Sequence, residues 1–268
     1  MANKCCICGT IRGCGPYLDK VYQNMLQIGA LFDDYRIIIY YDVSTDNTLQ
    51  KLKEFSQANS KFLLYVNREK LSKYRTHRIA KGRNHCLQTI RTWFSDYEYF
   101  IMMDCDDKCA YNLKEDVLKY YLKENIGWDS LSFQHPTGYY DLWALSKRPF
   151  VGSCHYYENC HQVKQYIEGI IARCSKDQLI QCLSAFNGFA LYRTKKFLNC
   201  VYNGHYQTSY IPANLIEENK RAVVKKNYFQ NVKNNFNIKE DCEHRFFHIM
   251  ATLNNNARIM IAPVTVFY

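Results

Sequence analysis

The amino-acid sequence predicts an α/β protein in which helices flank a mostly parallel central sheet. Short apolar runs alternate with stretches whose apolar residues have helical spacing, which is typical of successive βα units. Several apolar runs end in polar or acidic residues, as strands do where a ligand binds at the carboxyl edge of a sheet. A length of 268 residues suits one large domain of this kind, and we expect residues 1–268 to form it.

The chain begins with a strand, a loop and a helix, and this order then repeats. Residues 5–10 are apolar and lead into a glycine-containing loop, and residues 17–30 carry apolar side chains at helical spacing. A second strand ends at Asp42, and the capping residues after it precede a second helix. We expect further strands at 62–66, 99–103, 127–133, 184–192 and 258–266, further helices near 86–93, 113–125 and 245–253, and polar surface loops between 203 and 237.

The run Tyr99 to Met103 leads into three carboxylates within four residues. Asp104, Asp106 and Asp107 follow five large apolar residues, which suits a central parallel strand with acids at its end. Two carboxylates at positions i and i+2 can hold Mn²⁺ or Mg²⁺, and such ions take further ligands from substrate phosphates. The alternative is a solvated turn in which Asp107 caps the next helix.

A basic segment precedes this strand. Residues 73–85 include Arg78 and Arg83 and lead into a helix. Cations at a helix N-terminus oppose the helix dipole, so the cluster indicates an anion between these side chains. A solvated basic face is the competing interpretation. The formal net charge of +10 also favours an anionic partner.

Later segments combine acids with groups that suit a sugar or a catalytic base. Asp141 lies among aromatic rings that include Trp143, and such rings stack on a sugar while a carboxylate accepts from its hydroxyls. A core strand with Asp141 in a turn is the alternative. Gly188 lets the backbone approach a ligand or forms a bulge. Residues 239–248 pack three acids and two histidines into ten positions.

The cysteine content and the N-terminal residues indicate in which cellular compartment we expect the protein. Thirteen cysteines without a signal-like segment before them indicate reduced thiols in a reducing compartment. No apolar segment approaches the roughly 18 residues of a membrane span. We therefore expect a cytoplasmic protein without a transmembrane segment.

Taken in order, these segments resemble the GT-A class of nucleotide-sugar glycosyltransferases. Residues 42–48 are similar to its Asp-x-Ser-x-Asp-x-Thr segment, 83–84 to its Arg-Asn pair, and 104–106 to its metal-binding Asp-x-Asp motif. The resemblance implies a Rossmann-like GT-A domain with a nucleotide-sugar-binding half over about 1–112 and an acceptor-binding and catalytic half over about 113–268. It implies nucleotide-sugar contacts from Thr10, Arg12, Asp42, Asp46, Arg78, Arg83, Asn84, Asp104 and Cys105.

Shorter segments resemble the fungal capsule-associated α-1,3-mannosyltransferases, and short chains of this type look like the glycosyltransferases of large DNA viruses, which would place the protein in host cytoplasm. The segments include 140–145 and 186–192, where Asn187 stands in place of a glycine. Residues 242–244 and His248 are similar to the Glu-His and later His of related enzymes. With the Asp-x-Asp motif, this similarity implies a metal site of Asp104, Asp106 and His248 and a catalytic carboxylate in Glu243 or Asp241. The resemblance also implies contacts with the donor or acceptor sugar from Asp107, Asp141, Trp143, Asn187 and Gly188.

The implied reaction moves a sugar from a UDP- or GDP-linked donor to a glycan or glycoprotein hydroxyl, with Mn²⁺ or Mg²⁺ as cofactor. The narrower resemblance implies a retaining enzyme, whereas the Glu-His segment implies a base and inversion; we expect inversion with Glu243 as base. A nucleotidyltransferase is an alternative, although 13–15 is a poor glycine-rich phosphate loop. A nucleic-acid- or glycan-binding protein is another, but no nucleic-acid-binding signature is visible, and we expect no nucleic-acid partner.

Overall fold

The computed structural model describes residues 3–70, 72–123, 127–152, 160–222 and 239–268. Its strands are β1 (Lys4–Ile11), β2 (Asp34–Tyr41), β3 (Phe62–Val66), β4 (Tyr99–Asp104), β5 (Ser130–Gln134), β6 (Ile180–Cys182), β7 (Phe189–Arg193) and β8 (Ile259–Thr265). Its helices are α1 (Leu18–Gly29), α2 (Thr48–Ala58), α3 (Arg75–Trp93), α4 (Glu115–Lys123), α5 (Cys160–Ile171), α6 (Ala213–Ala222) and α7 (Glu243–Asn255).

The strands form one sheet in the order β3-β2-β1-β4-β7-β5-β8-β6. The first four strands of this order pair in parallel. β7 is antiparallel to both β4 and β5, β5 and β8 pair in parallel, and β6 is antiparallel at the edge. The predicted α/β fold with a mostly parallel sheet is confirmed, and its antiparallel strands lie in the second half.

Helices cover both faces of this sheet, which explains the unbroken apolar runs of the strands. Along β1, Cys6 and Cys8 pack into one core cluster and Cys5 and Ile7 into the other. A strand buried on both faces has no polar alternation. Eleven cysteines whose side chains the structure describes are free thiols, and ten of these eleven are buried. They serve there as small apolar residues of the core.

Two helices lie where the sequence predicted none. α5 occupies a segment without a predicted element, and α6 falls within the 203–237 segment that was predicted as polar loops. α6 buries Leu215 and Asn219, and the Asn219 side chain accepts from the backbone N–H groups of Val151 and Gly152 at 2.9 and 3.2 Å. The loop prediction is wrong for α6 because tertiary contacts stabilise a helix whose composition is mostly polar. None of the described helices combines the length and the apolar character needed to cross a membrane.

The register of the parallel strands brings three strand ends together. Thr10 pairs with Tyr40 of β2 on one side and with Asp104 of β4 on the other. α3 packs closely over these ends, since a Cβ added at Gly82 would lie 2.6 Å from the Thr10 side chain. The first turns of α3 therefore reach the carboxyl edge of the sheet, where ligands of such folds bind.

Candidate active site

A cavity of about 180 Å³ opens at this edge of the sheet. The ends of β1, β2 and β4 and the first turns of α3 line it. Its walls contain Thr10, Ile11, Arg12, Cys14, Tyr40, Asp42, Arg75, Arg78, Ile79, Asp104, Cys105 and Asp106. Six of the nine predicted nucleotide-sugar residues thus meet in one cleft together with Asp106, whereas Asp46, Arg83 and Asn84 are not part of its lining.

Asp42 is a fixed acceptor in the wall of this cleft. Its carboxylate is 7% exposed and accepts from the Asn67 side-chain amide at 3.0 Å, and Arg78 Nε lies 3.4 Å from its other oxygen. Asn67 follows β3 and was not predicted as a site residue. A carboxylate held in this way can accept hydrogen bonds from the N–H and hydroxyl groups of a nucleoside.

The positive charge of the cleft comes from side chains and not from a free helix terminus. Arg12, Arg75 and Arg78 all line the cavity. The N-terminus of α3 is already capped, because the Thr76 N–H donates to the Glu240 carboxylate at 3.1 Å. Arg75 was not among the predicted site residues, although its i, i+3 spacing to Arg78 places both on one face of the helix.

Asp104 and Asp106 lie together where β4 ends. Burial raises the pKa of Asp104 to about 7; the Arg83 guanidinium opposes this shift and the Asp106 charge adds to it. Asp106 accepts from the Lys108 N–H at 3.0 Å and caps the 3₁₀ turn Asp107–Cys109. The capping acid is thus Asp106, and the exposed Asp107 pairs with Lys108 at 2.7 Å.

This pair of carboxylates fits a divalent cation. Asp104 Oδ2 and Asp106 Oδ2 have no hydrogen-bond partner among the described residues, and the Asp106 charge adds to the raised pKa of Asp104, which a cation between the two acids would offset. Groups of three or more His, Cys, Asp or Glu side chains that could hold a metal are absent from the described residues. Further ligands would come from water and substrate phosphates.

A third acid, Asp141, faces the same region from the loop after β5. Burial raises its pKa to about 6; a hydrogen bond from the Ala144 N–H opposes the shift and the Glu243 charge adds to it. The Asn187 side chain holds this loop by accepting from the backbone N–H groups of Tyr140 and Asp141, each at 3.1 Å. Asn187 therefore acts as a support for Asp141.

Gly188 and Trp143 also shape this loop, and neither lines the cleft. Gly188 has a φ of +84°, and a Cβ there would collide with the Tyr140 hydroxyl, so the backbone itself requires glycine. The Trp143 carbonyl accepts from Arg245. The Tyr140 hydroxyl is buried without a hydrogen-bond partner among the described residues, and burial and the Asp104 charge raise its pKa. In the sequence, Tyr140 is marked only by its position next to Asp141.

The two candidate catalytic carboxylates occupy different surroundings. Glu243 is the first residue of α7, and its Oε1 accepts from Arg83 Nη1. Asp241 is buried in an ion pair with Arg245 and also accepts from the Cys242 N–H at 2.8 Å. Asp241 thus holds the start of α7 through these contacts, and its catalytic role stays a prediction.

His248, the predicted third ligand of the metal, has both ring nitrogens beside hydroxyl groups of the core, and its metal role stays a prediction. Its Nδ1 lies 3.1 Å from the Ser184 hydroxyl and its Nε2 lies 3.0 Å from the Tyr192 hydroxyl. Burial lowers its pKa to about 3, with Arg83 adding to the shift. His248 is a neutral core residue whose two nitrogens are both occupied.

Asn84 and Asp46 form hydrogen bonds with protein groups beside the cleft, and their contacts with the donor stay predictions. The Asn84 side-chain amide donates to the Tyr202 carbonyl at 2.8 Å and accepts from the Tyr202 N–H at 2.7 Å. Asp46 accepts from the Gly15 N–H at 3.0 Å and from the Thr48 hydroxyl at 2.8 Å. Both residues fix loops that surround the cleft.

Comparison with known proteins supports the predicted class. The sequence model of the family described as Glycosyl transferase family 2 matches residues 7–197. The crystal structure of S. aureus TarS 1–349 shares the fold, with a TM-score of 0.51 at 14% identity over 99% of this chain and 59% of that chain. A longer TarS structure gives the same TM-score and identity, with 36% of that chain covered.

The mannosyltransferase PcManGT from Pyrobaculum calidifontis, solved in complex with GDP-Man and Mn²⁺, gives a TM-score of 0.42 at 12% identity over 94% of this chain and 70% of that chain. A search of curated protein sequences finds no match. This chain spans about three-fifths of the length of the shorter TarS structure. The shared fold with TarS confirms the predicted GT-A architecture.

Proposed function

Because the chain belongs to glycosyl transferase family 2, we propose that it transfers a sugar from a UDP- or GDP-linked donor to a hydroxyl of a glycan or glycoprotein. The observation that carries this proposal is the single cleft that joins Asp42, three arginines and the Asp104–Asp106 pair. Asp42 would accept from the base or ribose. Arg12, Arg75 and Arg78 would offset the charge of the diphosphate.

Asp104 and Asp106 would hold Mn²⁺ or Mg²⁺. Such a cation, when bound, neutralises charge on the departing diphosphate. The arginines of the cleft act on the same charge, since a preorganised cation stabilises a leaving group without reorganising at the moment of reaction.

Glu243 is the proposed general base of an inverting reaction. The acceptor oxygen attacks the anomeric carbon, and its proton passes to the Glu243 carboxylate. The bond from the anomeric carbon to the phosphate oxygen breaks, and its electron pair leaves with the nucleoside diphosphate. Glu243 Oε1 is held by Arg83, while Oε2 has no hydrogen-bond partner in the described part of the chain and would receive the proton.

The test replaces Glu243 by Gln. Glu243→Gln should lower transfer about 10²- to 10⁴-fold and leave donor binding unchanged, as measured by calorimetry with the donor. Asp241→Asn is the matched control, which should lower the melting temperature and spare the turnover of the folded enzyme. Unimpaired turnover by Glu243→Gln, or a product that keeps the anomeric configuration of the donor by NMR, would favour the retaining alternative.

The loop after β1 argues against the nucleotidyltransferase alternative. Such an enzyme needs backbone N–H groups that are free to cradle phosphates. Here the Cys14 N–H donates to the Thr48 hydroxyl at 3.0 Å and the Gly15 N–H donates to Asp46 at 3.0 Å. These N–H groups are already satisfied within the protein, which supports sugar transfer over nucleotidyl transfer.

A further inference from the structure

Arg83 lies between two carboxylates on which the proposed function depends. Its Nη2 donates to Asp104 Oδ1 at 3.0 Å, and its Nη1 donates to Glu243 Oε1. We propose that Arg83 is a positioning residue that fixes the Glu243 carboxylate relative to Asp104, and that it is not a ligand of the donor diphosphate. This inference rests on the proposed function, because that function makes Glu243 the base.

Arg83 and Glu243 both lie behind the wall of the cleft. Their side chains are 4% and 5% exposed, and neither residue is part of the cleft lining. The guanidinium carbon lies 4.8 Å from the centre of the Phe186 ring and 5.8 Å from the centre of the Tyr202 ring. A diphosphate in the cleft would instead meet Arg12, Arg75 and Arg78, which supports a role for Arg83 behind the cleft wall.

His244 shares the guanidinium edge that holds Glu243. Arg83 Nη1 donates to His244 Nε2, and the His244 ring stacks on Phe186 with centres 3.9 Å apart. Burial lowers the pKa of His244 well below its usual range, and the Arg83 charge adds to this effect. His244 is therefore a neutral acceptor that orients Arg83 without competing for its charge.

The charges that face Glu243 explain what Arg83 supplies. Among the described residues, Arg83 is the one Lys or Arg within ion-pair distance of Glu243; the other groups near it are neutral His244, the Cys242 thiol and the acid Asp141. Removal of a cation that is paired with a buried carboxylate favours the protonated form of that carboxyl group. A protonated Glu243 could not accept the proton of the acceptor hydroxyl.

The geometry also distinguishes arginine from lysine at this position. The planar guanidinium uses one nitrogen for Asp104 and the other for Glu243, so one rigid group sets the spacing of the two acids. A lysine ammonium is a point charge that can keep Glu243 ionised without fixing both partners at once. Arg83→Lys and Arg83→Met therefore separate the charge of Arg83 from its geometry.

The kinetic test measures kcat and donor KM against pH for wild type, Arg83→Met and Arg83→Lys. The donor is whichever of UDP-GlcNAc, UDP-Glc and GDP-Man is turned over with Mn²⁺, and donor hydrolysis by water replaces transfer where no acceptor is known. Arg83→Met should lower kcat at pH 7 about 100-fold and change donor KM less than about threefold. The midpoint of the acidic limb of its kcat–pH profile should move up by about one pH unit or more. Arg83→Lys should keep the wild-type limb with an intermediate kcat.

Arg91→Met is the matched control on the same helix. The Arg91 guanidinium is also partly buried, but it donates to the carbonyls of Leu198 and Cys200 and touches no acid of the site. Its loss should lower the melting temperature and leave the pH limb unchanged. If Arg83→Met raises donor KM more than about tenfold and leaves the acidic limb of the pH profile unchanged, Arg83 binds the donor diphosphate and the proposal is overturned. An effect of Arg83→Met on melting temperature alone would overturn it as well.

A second measurement does not depend on activity. Glu243→Gln should lower the melting temperature by several degrees in wild type and clearly less in the Arg83→Met background, whereas its effect should be additive with Arg91→Met. Additivity with Arg83→Met would contradict the pairing. If no donor is turned over, or if Glu243→Gln is fully active, the proposed function fails while this cycle still tests the pairing. If Glu243→Gln is inactive and Arg83→Met keeps the acidic limb of the wild-type kcat–pH profile, the inference about Arg83 fails while the proposed function stands.

Discussion

Asp46 and Asp104 show how the environment of a single carboxylate decides its role. Asp46 accepts from the hydroxyls of Ser44 and Thr48 and from the Gly15 N–H. Although burial opposes the shift, these hydrogen bonds lower the pKa of Asp46 to about 2. Asp104 has one guanidinium as partner and is partly buried, with a side chain 28% exposed, and its pKa is raised to about 7. Asp46 thus stays ionised and fastens loops, whereas Asp104 is suited to receive a cation.

The lowered pKa of Asp46 predicts a pH-dependent contribution to stability. Its pKa in the folded protein lies below the ordinary value of 3.8, so its stabilisation is present above about pH 4 and is lost as the pH falls toward 2. Asp46→Asn should therefore melt a few degrees below wild type at pH 7, and the gap should narrow between pH 4 and pH 2. Calorimetric scans across this range measure it, with the exposed Asp116→Asn as control. A gap that does not change with pH would contradict the role of the charge.

Two helices carry the site at the scale of elements. α3 presents Arg75 and Arg78 to the cleft from its first turns and Arg83 to Glu243 from its third turn. α7 begins at Glu243 and is attached to α3 through this contact. The close approach of α3 to β1 and β2 at Gly82 sets the height of these arginines over the sheet. The position of α3 therefore governs both the donor cleft and the proposed base.

Gly82→Ala tests this dependence. Alanine favours a helix by about 1 kcal/mol over glycine, but the new Cβ would lie 2.6 Å from the Thr10 side chain and 2.7 Å from the Tyr40 ring. We expect a lower melting temperature and a higher donor KM, because α3 must move away from the sheet. Gly169→Ala in α5 is the control; its Cβ meets only Arg173 Nη1 at 3.6 Å, and it should be neutral or stabilising. A stable Gly82→Ala with normal donor KM would contradict this role for α3.

At the scale of the whole molecule, the cleft lies at the last parallel strands of the sheet, beside the first antiparallel strand. β1 and β4 are parallel neighbours, and β7 on the other side of β4 runs antiparallel. The Gly188 carbonyl before β7 accepts from the Asp104 N–H at 2.7 Å. The parallel strands that line the cleft thus meet the second half of the sheet at the acids, where the proposed donor and acceptor would come together.

The binding of donor and cation should stabilise the whole fold. A nucleotide sugar at about 100 times its Kd should raise the melting temperature by on the order of 5 °C, with one nucleotide class preferred among UDP-, GDP- and CMP-sugars. The rise should require Mn²⁺ or Mg²⁺ and should disappear in Asp104→Asn. No shift with any donor, or an equal shift with and without metal, would contradict a metal-dependent donor site.

The sequence by itself determined the α/β class, the order of the first four strands and helices, and the position of Asp42 and Asp104 at strand ends. These features follow from local patterns, because apolar periodicity and strand-terminal acids are set by neighbouring residues. The parallel register then brings Thr10, Asp42 and Asp104 together without further information. The sequence pattern failed for α6, whose polar composition hides a helix that tertiary contacts stabilise.

Only the tertiary structure decided which side chains are partners. Arg83 meets Glu243 across 160 residues of sequence, Asn67 meets Asp42, and Glu240 caps α3, and no local pattern encodes such pairs. The motif residues Asn84 and His248 form hydrogen bonds with groups of the protein. Buried polar atoms need such partners, and the fold decides which groups lie within reach. Spacing along the chain identifies candidates for a site, whereas burial and the partners available in three dimensions determine which of them face the ligand.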